Sequence, residues 1–135
     1  MNNWKAKRIL VIGAARQGQA AARYLAAQGA LVTLNDEKPA EKITLHGDIF
    51  HTKEIKKSFG GHSLELLDNT DLICVSGGVP LSLPIIAAGM QRGIPITNDS
   101  QIFLQSVKSK VIGITGSAGK TTTTTLVGAI AKRNA

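Results

Sequence analysis

A glycine-containing loop near the end of the chain has the residue types of a phosphate site. It follows the apolar run 111–114 and reads Thr115-Gly116-Ser117-Ala118-Gly119-Lys120-Thr121-Thr122. Backbone N–H groups at such a loop and helix start point into one concavity, where the helix dipole favours negative charge. The Lys120 ammonium can reach a terminal phosphate, and the Thr121 hydroxyl can bind Mg²⁺. We therefore predict phosphate binding here.

This loop departs from the common phosphate-loop pattern at one position. The pattern G-x-x-x-x-G-K-[ST] requires a glycine where this chain has Ile114. The glycines present are Gly116 and Gly119 instead. The alternative interpretation is a glycine-rich strand-to-helix turn with a chance Lys-Thr pair.

A second glycine loop, residues 13–18 (GAARQG), follows the apolar run 8–12. It has the first and last glycines of the dinucleotide fingerprint G-x-G-x-x-G, and Ala15 replaces the middle one. Asp36 ends the next apolar run, where a fold of this kind places a carboxylate against a ribose or base. We predict nucleotide binding; the alternative is a tight turn with a solvated aspartate.

A third loop, Ser76-Gly77-Gly78, follows the apolar run 71–75. Open α/β sheets bind ligands at the carboxyl ends of their strands, and a glycine pair lets backbone amides approach a ligand closely. A plain flexible turn explains these residues equally well.

The elements that position these loops alternate between strand and helix. The patterns predict strands at 8–12, 30–36, 71–76 and 94–97, and helices at 18–29, 84–92 and from 99 or 100 through 104. This alternation predicts an α/β fold with a Rossmann-like parallel sheet and flanking helices. In the less regular middle, 43–45 is predicted as a short strand and 53–59 as one or two turns of helix.

Length and composition exclude several classes of protein. The 135 residues suit one domain and a little more. No apolar run approaches the roughly 20 residues of a membrane span, and no signal peptide is recognisable, so we expect a cytoplasmic protein without membrane insertion. Cys74 lies within an apolar run and is expected to be a small buried hydrophobe.

The net charge of +7 raises the question of nucleic acid. The lysines and arginines are scattered and form no basic helix face, so no nucleic-acid partner is predicted. A basic nucleic-acid-associated domain remains an interpretation based on charge alone. An anionic small molecule suits the same charge.

With these residues described, the chain resembles the N-terminal part of the Mur ligases, the ATP-dependent amide-bond ligases of bacterial peptidoglycan synthesis. The resemblance rests on the loop 13–18 with Asp36, the loop 76–79 (SGGV) and the segment 114–122 (ITGSAGKTT). Isoleucine at position 114 is the family's own form of the phosphate loop. Gly77 departs from the family pattern by replacing a proline, and Ala118 by replacing an asparagine.

The resemblance implies two domains and their site residues. Residues 1–108 would be a Rossmann-like domain that holds the UDP of the substrate, and 109–135 would begin a central ATP-binding domain that is incomplete here. The implied UDP-binding residues are Arg16, Gln17, Asp36, Glu37, Lys38, Ser76, Gly77 and Gly78. The implied ATP-binding residues are Gly116, Ser117, Ala118, Gly119, Lys120, Thr121 and Thr122. Lys120 and Thr121 would be catalytic, and Thr121 would also hold Mg²⁺.

The resemblance also implies a reaction and its partners. The intact protein would be an ATP-dependent carboxylate–amine ligase that adds D-glutamate to UDP-N-acetylmuramoyl-L-alanine through an acyl phosphate. This chain by itself is expected to be inactive, because the rest of the ATPase sheet and the amino-acid-binding domain would lie beyond Ala135. The full-length protein is expected to be a monomer.

Two further expectations concern the end of the chain and the alternative function. The predicted strand 111–116 would be an unpaired edge that self-associates or is disordered. The alternative function is a regulatory module that senses NAD or another dinucleotide. That function explains the loop 13–18 and Asp36 but leaves 116–122 unexplained.

Overall fold

One parallel sheet of five strands organises the chain. The computed structural model describes residues 3–47 and 53–133. The strands are β1 (Arg8–Ile12), β2 (Leu31–Asp36), β3 (Ile55–Phe59), β4 (Leu72–Val75) and β5 (Ile96–Asn98). Their order is β3-β2-β1-β4-β5, and every neighbouring pair is parallel. The predicted Rossmann-like α/β fold is confirmed, with a crevice at the carboxyl ends of β1 and β4, where the strand order reverses.

Helices cover both faces of this sheet: α1 (Arg16–Ala27) and α3 (Asp99–Ser106) pack on one face, and α2 (Pro84–Gln91) packs on the other. A fourth helix, α4 (Lys120–Arg133), follows them in the chain. Short 3-10 helices occupy Ala40–Lys42 and Leu64–Leu67. Within the described parts of the chain, no helix is long and apolar enough to cross a bilayer.

The side chains of β1 alternate between two apolar cores. Ile9 and Val11 pack in one core with residues of α1 and α3, whereas Leu10 and Ile12 pack in the other with residues of α2. All four are at most 1% exposed. A strand buried on both faces needs a continuous apolar sequence, which explains the run at 9–12.

Cys74 lies in the middle of β4 and is fully buried. Burial, with a smaller effect from the charge of Asp99, raises the pKa of its thiol to about 12. The thiol therefore stays protonated at neutral pH and packs as a small hydrophobe, as predicted.

The middle of the chain differs from its prediction. Residues 55–59 form the edge strand β3 beside β2 rather than helical turns. Ile55 is the buried residue of this strand, and Lys56 and Lys57 are exposed. Residues 43–45, predicted as a strand, have no regular secondary structure. The prediction was wrong because an edge strand buries few side chains and carries lysines that discourage further pairing.

The segment 111–116, predicted as a strand without a neighbour in this chain, has no strand assignment, and none of the five described strands pairs with it. A strand needs a neighbour to complete its backbone hydrogen bonds. The predicted helix after the phosphate loop is present as α4, and none of its described residues is buried.

Candidate functional site

The loop between β1 and α1 is held tightly by its two glycines. Gly13 has a φ of +99°, and a Cβ there would lie 2.7 Å from Cγ2 of Val79. A Cβ at Gly18 would overlap the carbonyl oxygen of Gly13. Both positions therefore need glycine, one for its backbone conformation and the other for the close approach of α1 to the loop.

The start of α1 offers unoccupied backbone donors. The residue before the helix is Ala15, whose methyl side chain cannot cap it. The N–H groups of Arg16, Gln17 and Gly18 therefore have no intrahelical acceptor, and the first turn contains no acidic residue. Such a helix start attracts an anion such as a phosphate.

Asp36 joins two of the loops at the carboxyl edge of the sheet. Its Oδ2 accepts a hydrogen bond of 2.6 Å from the Ala14 N–H, and its Oδ1 accepts one of 2.9 Å from the Lys38 N–H. A carboxylate can accept roughly four hydrogen bonds, so Asp36 retains capacity for a ligand hydroxyl or base N–H. Its position at the end of β2 agrees with the role predicted for it.

A cavity of about 230 Å³ opens beside this carboxylate. Its walls include the side chains of Arg16, Asp36, Lys38, Lys42 and His46. Three of these are permanently basic and one is acidic, so the cavity has a net positive charge. Together with the helix start, this charge suits a ligand that carries phosphate groups.

A larger cavity of about 450 Å³ lies between the end of β4 and the start of α3. Ser76, Gly77 and Gly78 form part of its wall. Ser76 is 3% exposed, and its Oγ has no hydrogen-bond partner among the residues that the structure describes. Buried hydroxyls without a partner cost free energy, and such exceptions need a structural or functional explanation.

Gln17 joins the start of α1 to the loop 76–78. Its side chain packs against Gly77, where an added Cβ would overlap the Gln17 Oε1. The glycine that stands in place of the family's proline thus makes room for this side chain. The structure therefore brings the predicted loops 13–18 and 76–78 together with Asp36 at one edge of the sheet, whereas no described contact joins the loop 115–122 to them.

The predicted UDP-binding residues fall into three groups. Arg16, Asp36 and Lys38 line the smaller cavity, and Glu37 is exposed beside them. Ser76, Gly77 and Gly78 line the larger one, and Gln17 packs against Gly77. The sequence patterns missed the part of the smaller cavity formed by Gln19, Lys42, Ile43, Thr44 and His46. The one signal that could have found it was a glutamine among the alanines of α1.

The loop 116–122 has the geometry of a phosphate cradle. Gly116 and Gly119 have φ values of +151° and +77°, and α4 begins at Lys120. The Lys120 Nζ donates a hydrogen bond to the carbonyl of Gly116, back across the loop. Ser117, Ala118, Thr121 and Thr122 are exposed around it. A lysine, a helix start and two glycines with positive φ are residue features that suit a nucleotide phosphate.

The same loop offers one hydroxyl ligand for Mg²⁺, that of Thr121. Mg²⁺ in nucleotide sites is commonly held by one or two protein oxygens, several waters and the phosphates, so one hydroxyl fits that pattern. Over residues 3–47 and 53–133, no cluster of three or more His, Cys, Asp and Glu side chains is placed to hold a metal ion.

The parallel sheet, the glycine turn after β1 and the carboxylate at the end of β2 define a Rossmann-type α/β domain. Residues 7–98 match the family model described as "Mur ligase MurD-like, N-terminal domain". The chain belongs to this family, as its resemblance to the Mur ligases predicted.

Curated relatives agree with this assignment. The chain is 41% identical over 128 residues to UDP-N-acetylmuramoylalanine--D-glutamate ligase of Exiguobacterium sibiricum, which covers 94% of this chain and 28% of the relative. It is 40% identical over 131 residues to the enzyme of the same name from Streptococcus pneumoniae, covering 96% and 29%. The chain thus spans less than a third of the length of these relatives.

Solved structures show the same fold. A pseudomurein peptide ligase type C from Methanothermus fervidus is 35% identical with a TM-score of 0.62, over 87% of this chain and 24% of that protein. A short-chain dehydrogenase/reductase from Veillonella parvula has a TM-score of 0.54 at 16% identity, over 69% of this chain and 46% of that one. The second likeness concerns the fold alone.

Proposed function

We propose that this chain is the substrate-binding N-terminal part of an ATP-dependent ligase that adds D-glutamate to UDP-N-acetylmuramoyl-L-alanine. The observation that carries the proposal is the convergence of loops 13–18, 36–38 and 76–78 at one sheet edge of a MurD-like chain. Their backbone amides and basic side chains suit a diphosphate, and Asp36 suits a nucleoside. The names and activities of the 40–41% identical relatives support the same substrate.

Each loop has a distinct role in this proposal. The N–H groups at the start of α1, with Arg16 and Lys38, hold the diphosphate. Asp36, already fixed by two backbone donors, accepts a hydrogen bond from the uridine. Gln17, Glu37 and the 76–78 loop complete the pocket around the rest of the substrate.

The segment 109–135 begins the ATP-binding domain in this proposal. Gly116 to Thr122 surround the phosphates of ATP, and Lys120 stabilises charge on the transferred phosphoryl group. Bound Mg²⁺, held in part by Thr121, would neutralise further phosphate charge. The substrate carboxylate takes the terminal phosphoryl group of ATP and releases ADP, and the amine of D-glutamate then displaces phosphate to form the amide.

This chain and the intact ligase are proposed to differ in activity. The segment 109–135 supplies only part of an ATP site, so this chain is expected to bind the nucleotide-linked substrate without ligating it. The intact ligase is proposed to act as a cytoplasmic monomer, where both substrates and ATP are available.

Backbone amide NMR during titration with UDP-N-acetylmuramoyl-L-alanine tests the substrate site. We expect saturable shift changes at residues 13–18, 36–38 and 76–78. Residues at the opposite, amino edge of the sheet, such as Arg8 and Asp71, should serve as unaffected internal controls. Changes confined to other parts of the sheet, or none at all at millimolar substrate, would contradict the proposal.

A substitution in the intact ligase tests the phosphate loop. Lys120→Ala should abolish amide formation while the affinity for the UDP-linked substrate stays within about twofold, since the two sites are separate. A variant at the exposed position Thr123 of the same helix, Thr123→Ser, serves as the matched control. Retained turnover in Lys120→Ala would remove this loop from the reaction.

A further inference from the structure

Gln19 is a buried polar side chain in an otherwise apolar stretch of α1. It is 2% exposed, and the helix around it buries alanines and Leu25. Its Nε2 donates to the carbonyl oxygens of Ala14 at 2.7 Å and Thr44 at 2.8 Å. Its Oε1 accepts a hydrogen bond of 2.9 Å from the His46 N–H. Both amide hydrogens are therefore used, and the oxygen has a partner.

These three bonds join two segments that are far apart in the sequence. Ala14 belongs to the β1–α1 loop, whereas Thr44 and His46 belong to a segment without regular secondary structure. A segment of this kind has no helix or sheet ladder to satisfy its backbone, so the side-chain amide of Gln19 takes over that role. Arg23 adds a bond of 2.7 Å from its guanidinium to the His46 carbonyl.

The segment that Gln19 holds is one wall of the smaller cavity. Ile43, Thr44 and His46 line that cavity opposite the loop that carries Ala14 and Arg16. The same Ala14 donates its N–H to Asp36. Ala14 thus donates its N–H to the Asp36 carboxylate, and its carbonyl oxygen accepts a hydrogen bond from the Gln19 side chain that holds the 43–46 segment.

We propose that Gln19 is a positioning residue of the nucleotide site: its buried amide joins the glycine loop at Ala14 to Thr44 and His46, and so holds the 43–46 segment as the outer wall of the cavity. This inference rests on the proposed function, since it assumes that the cavity receives a uridine nucleotide. Gln19 acts through the wall and not through contact with the reacting atoms.

The chemistry of the site supports a positioning role over simple packing. A leucine of similar size would fill the same space in α1 without the cost of burying an amide. It would also leave two carbonyls and one N–H of the loop and the wall without partners, and these groups would then have to reach water. Solvating them would loosen the 43–46 segment from the glycine loop, because Gln19 is the side chain that joins the two.

The first test compares Gln19→Leu with the matched core variant Ile85→Val, which lies in the core on the other side of the sheet. UDP is titrated into each chain by calorimetry, and hydrogen exchange of the His46 amide is followed by NMR. We expect Gln19→Leu to raise the Kd for UDP by roughly tenfold and to remove the protection of the His46 amide. Ile85→Val should change neither quantity by more than about twofold.

A second variant keeps the test sharp if Gln19→Leu does not fold. In Gln19→Glu a neutral carboxyl group can donate one hydrogen bond, to the carbonyl of Ala14 or of Thr44. An ionised carboxylate has no proton to donate, so both carbonyls lose their hydrogen bond. The ionisable groups that line the cavity with this side chain are Arg16, Asp36, Lys38, Lys42 and His46, and Arg23 lies beside it on the His46 carbonyl; all are shared with the unchanged chain. The ratio of variant to wild-type Kd for UDP should therefore be near one at about pH 5 and rise by roughly tenfold at about pH 8.

The outcomes separate the two proposals. Wild-type binding of UDP together with unchanged Kd and His46 protection in Gln19→Leu would overturn the positioning role and leave the proposed function standing. A pH-independent ratio for Gln19→Glu would overturn it as well. Absence of UDP binding to the wild-type chain would contradict the proposed function, and the positioning role would fall with it.

Discussion

Three polar side chains tie together the loops at the carboxyl edge of the sheet. Asp36 bonds the glycine loop to its own turn, and Gln19 bonds that loop to the 44–46 segment. Asn35 is fully buried, donates to the carbonyls of Ser58 and Gly61, and has its Oδ1 2.5 Å from Nδ1 of His62. Buried polar groups with all their partners in place favour one arrangement of the loops over others.

The close approach of α1 to the glycine loop gives a residue-scale prediction. Gly18→Ala would place a Cβ against the Gly13 carbonyl, so the helix must shift away from the loop. We expect a loss of about 1–3 kcal/mol in the free energy of unfolding, despite the higher helix propensity of alanine. Urea unfolding followed by the fluorescence of the buried Trp4 measures it.

A matched variant in the same helix controls for this experiment. Ala20 is exposed one turn from the loop, and Ala20→Ser should change stability by no more than about 0.5 kcal/mol. A Gly18→Ala chain as stable as the wild type would show that the contact between α1 and the loop is not tight.

At this scale the sequence predicted the residues whose roles are local. Gly13 comes directly after β1, Gly18 lies in the first turn of the next helix, and Asp36 ends β2. Their spacing therefore indicated a nucleotide loop. Gln19 was missed because its partners lie 25 and 27 residues further along the chain. Nothing in the spacing of the sequence joins positions so far apart.

At the scale of elements, β1 is fixed to β4 at both ends. At the amino ends, Asp71 accepts hydrogen bonds from the Arg8 backbone N–H at 2.8 Å and from its guanidinium at 2.6 and 3.1 Å. At the carboxyl ends, the Ser76 N–H donates to the Ile12 carbonyl. The two strands that border the ligand crevice are therefore held in register.

The ion pair between Arg8 and Asp71 should make the stability of the fold depend on pH. Hydrogen bonds from the Arg8 side chain and backbone lower the pKa of Asp71 to about 2. Because the folded pKa is below the unfolded one of about 4, the stabilisation is present above pH 4 and is lost as the pH falls toward 2. Asp71→Asn should lower the free energy of unfolding by about 1 kcal/mol or less at pH 7, since the pair is solvent-exposed.

Unfolding free energies at several pH values between 7 and 2 test this expectation. The difference between Asp71→Asn and the wild type should shrink as the pH falls through that window. Asp68→Asn is the matched control, because Asp68 forms one hydrogen bond to Arg92 from an exposed position. A difference that stays constant down to pH 2 would contradict the assigned cause.

Prediction of the elements succeeded where burial gave a clear pattern. The strands β1, β2 and β4 and the helices α1 and α2 appear where apolar runs and periodicity placed them. β3 was missed because one buried isoleucine followed by two lysines carries little periodicity. The segment 111–116 has a strand-like composition. Composition alone cannot show whether a neighbouring strand is present, and a strand forms only beside such a neighbour.

The whole molecule divides into a packed sheet domain and a tail of exposed residues. Both cores draw on residues between Trp4 and Ile102. The segment 108–119 has no helix or strand, and Lys108 and Lys110 are exposed within it. This division agrees with the proposed domain boundary near residue 108.

Limited proteolysis tests that boundary. Trypsin should cut first after Lys108 and Lys110, because exposed chain without secondary structure opens at little cost. Lys56 and Lys57 are equally exposed but belong to β3, so they are the internal controls. The large product should keep its Trp4 fluorescence and its affinity for UDP; early cuts in β3, or an unfolded product, would contradict the proposed boundary.

The central claim is that the carboxyl edge of this sheet binds a uridine diphosphate sugar and not a nicotinamide dinucleotide. Calorimetric titration of the chain with UDP-N-acetylmuramoyl-L-alanine, and separately with NAD, measures this directly. Saturable binding of the uridine compound, at least about tenfold tighter than that of NAD and weakened in Asp36→Ala, is the predicted result. Tight binding of NAD with no response to the uridine compound would contradict it.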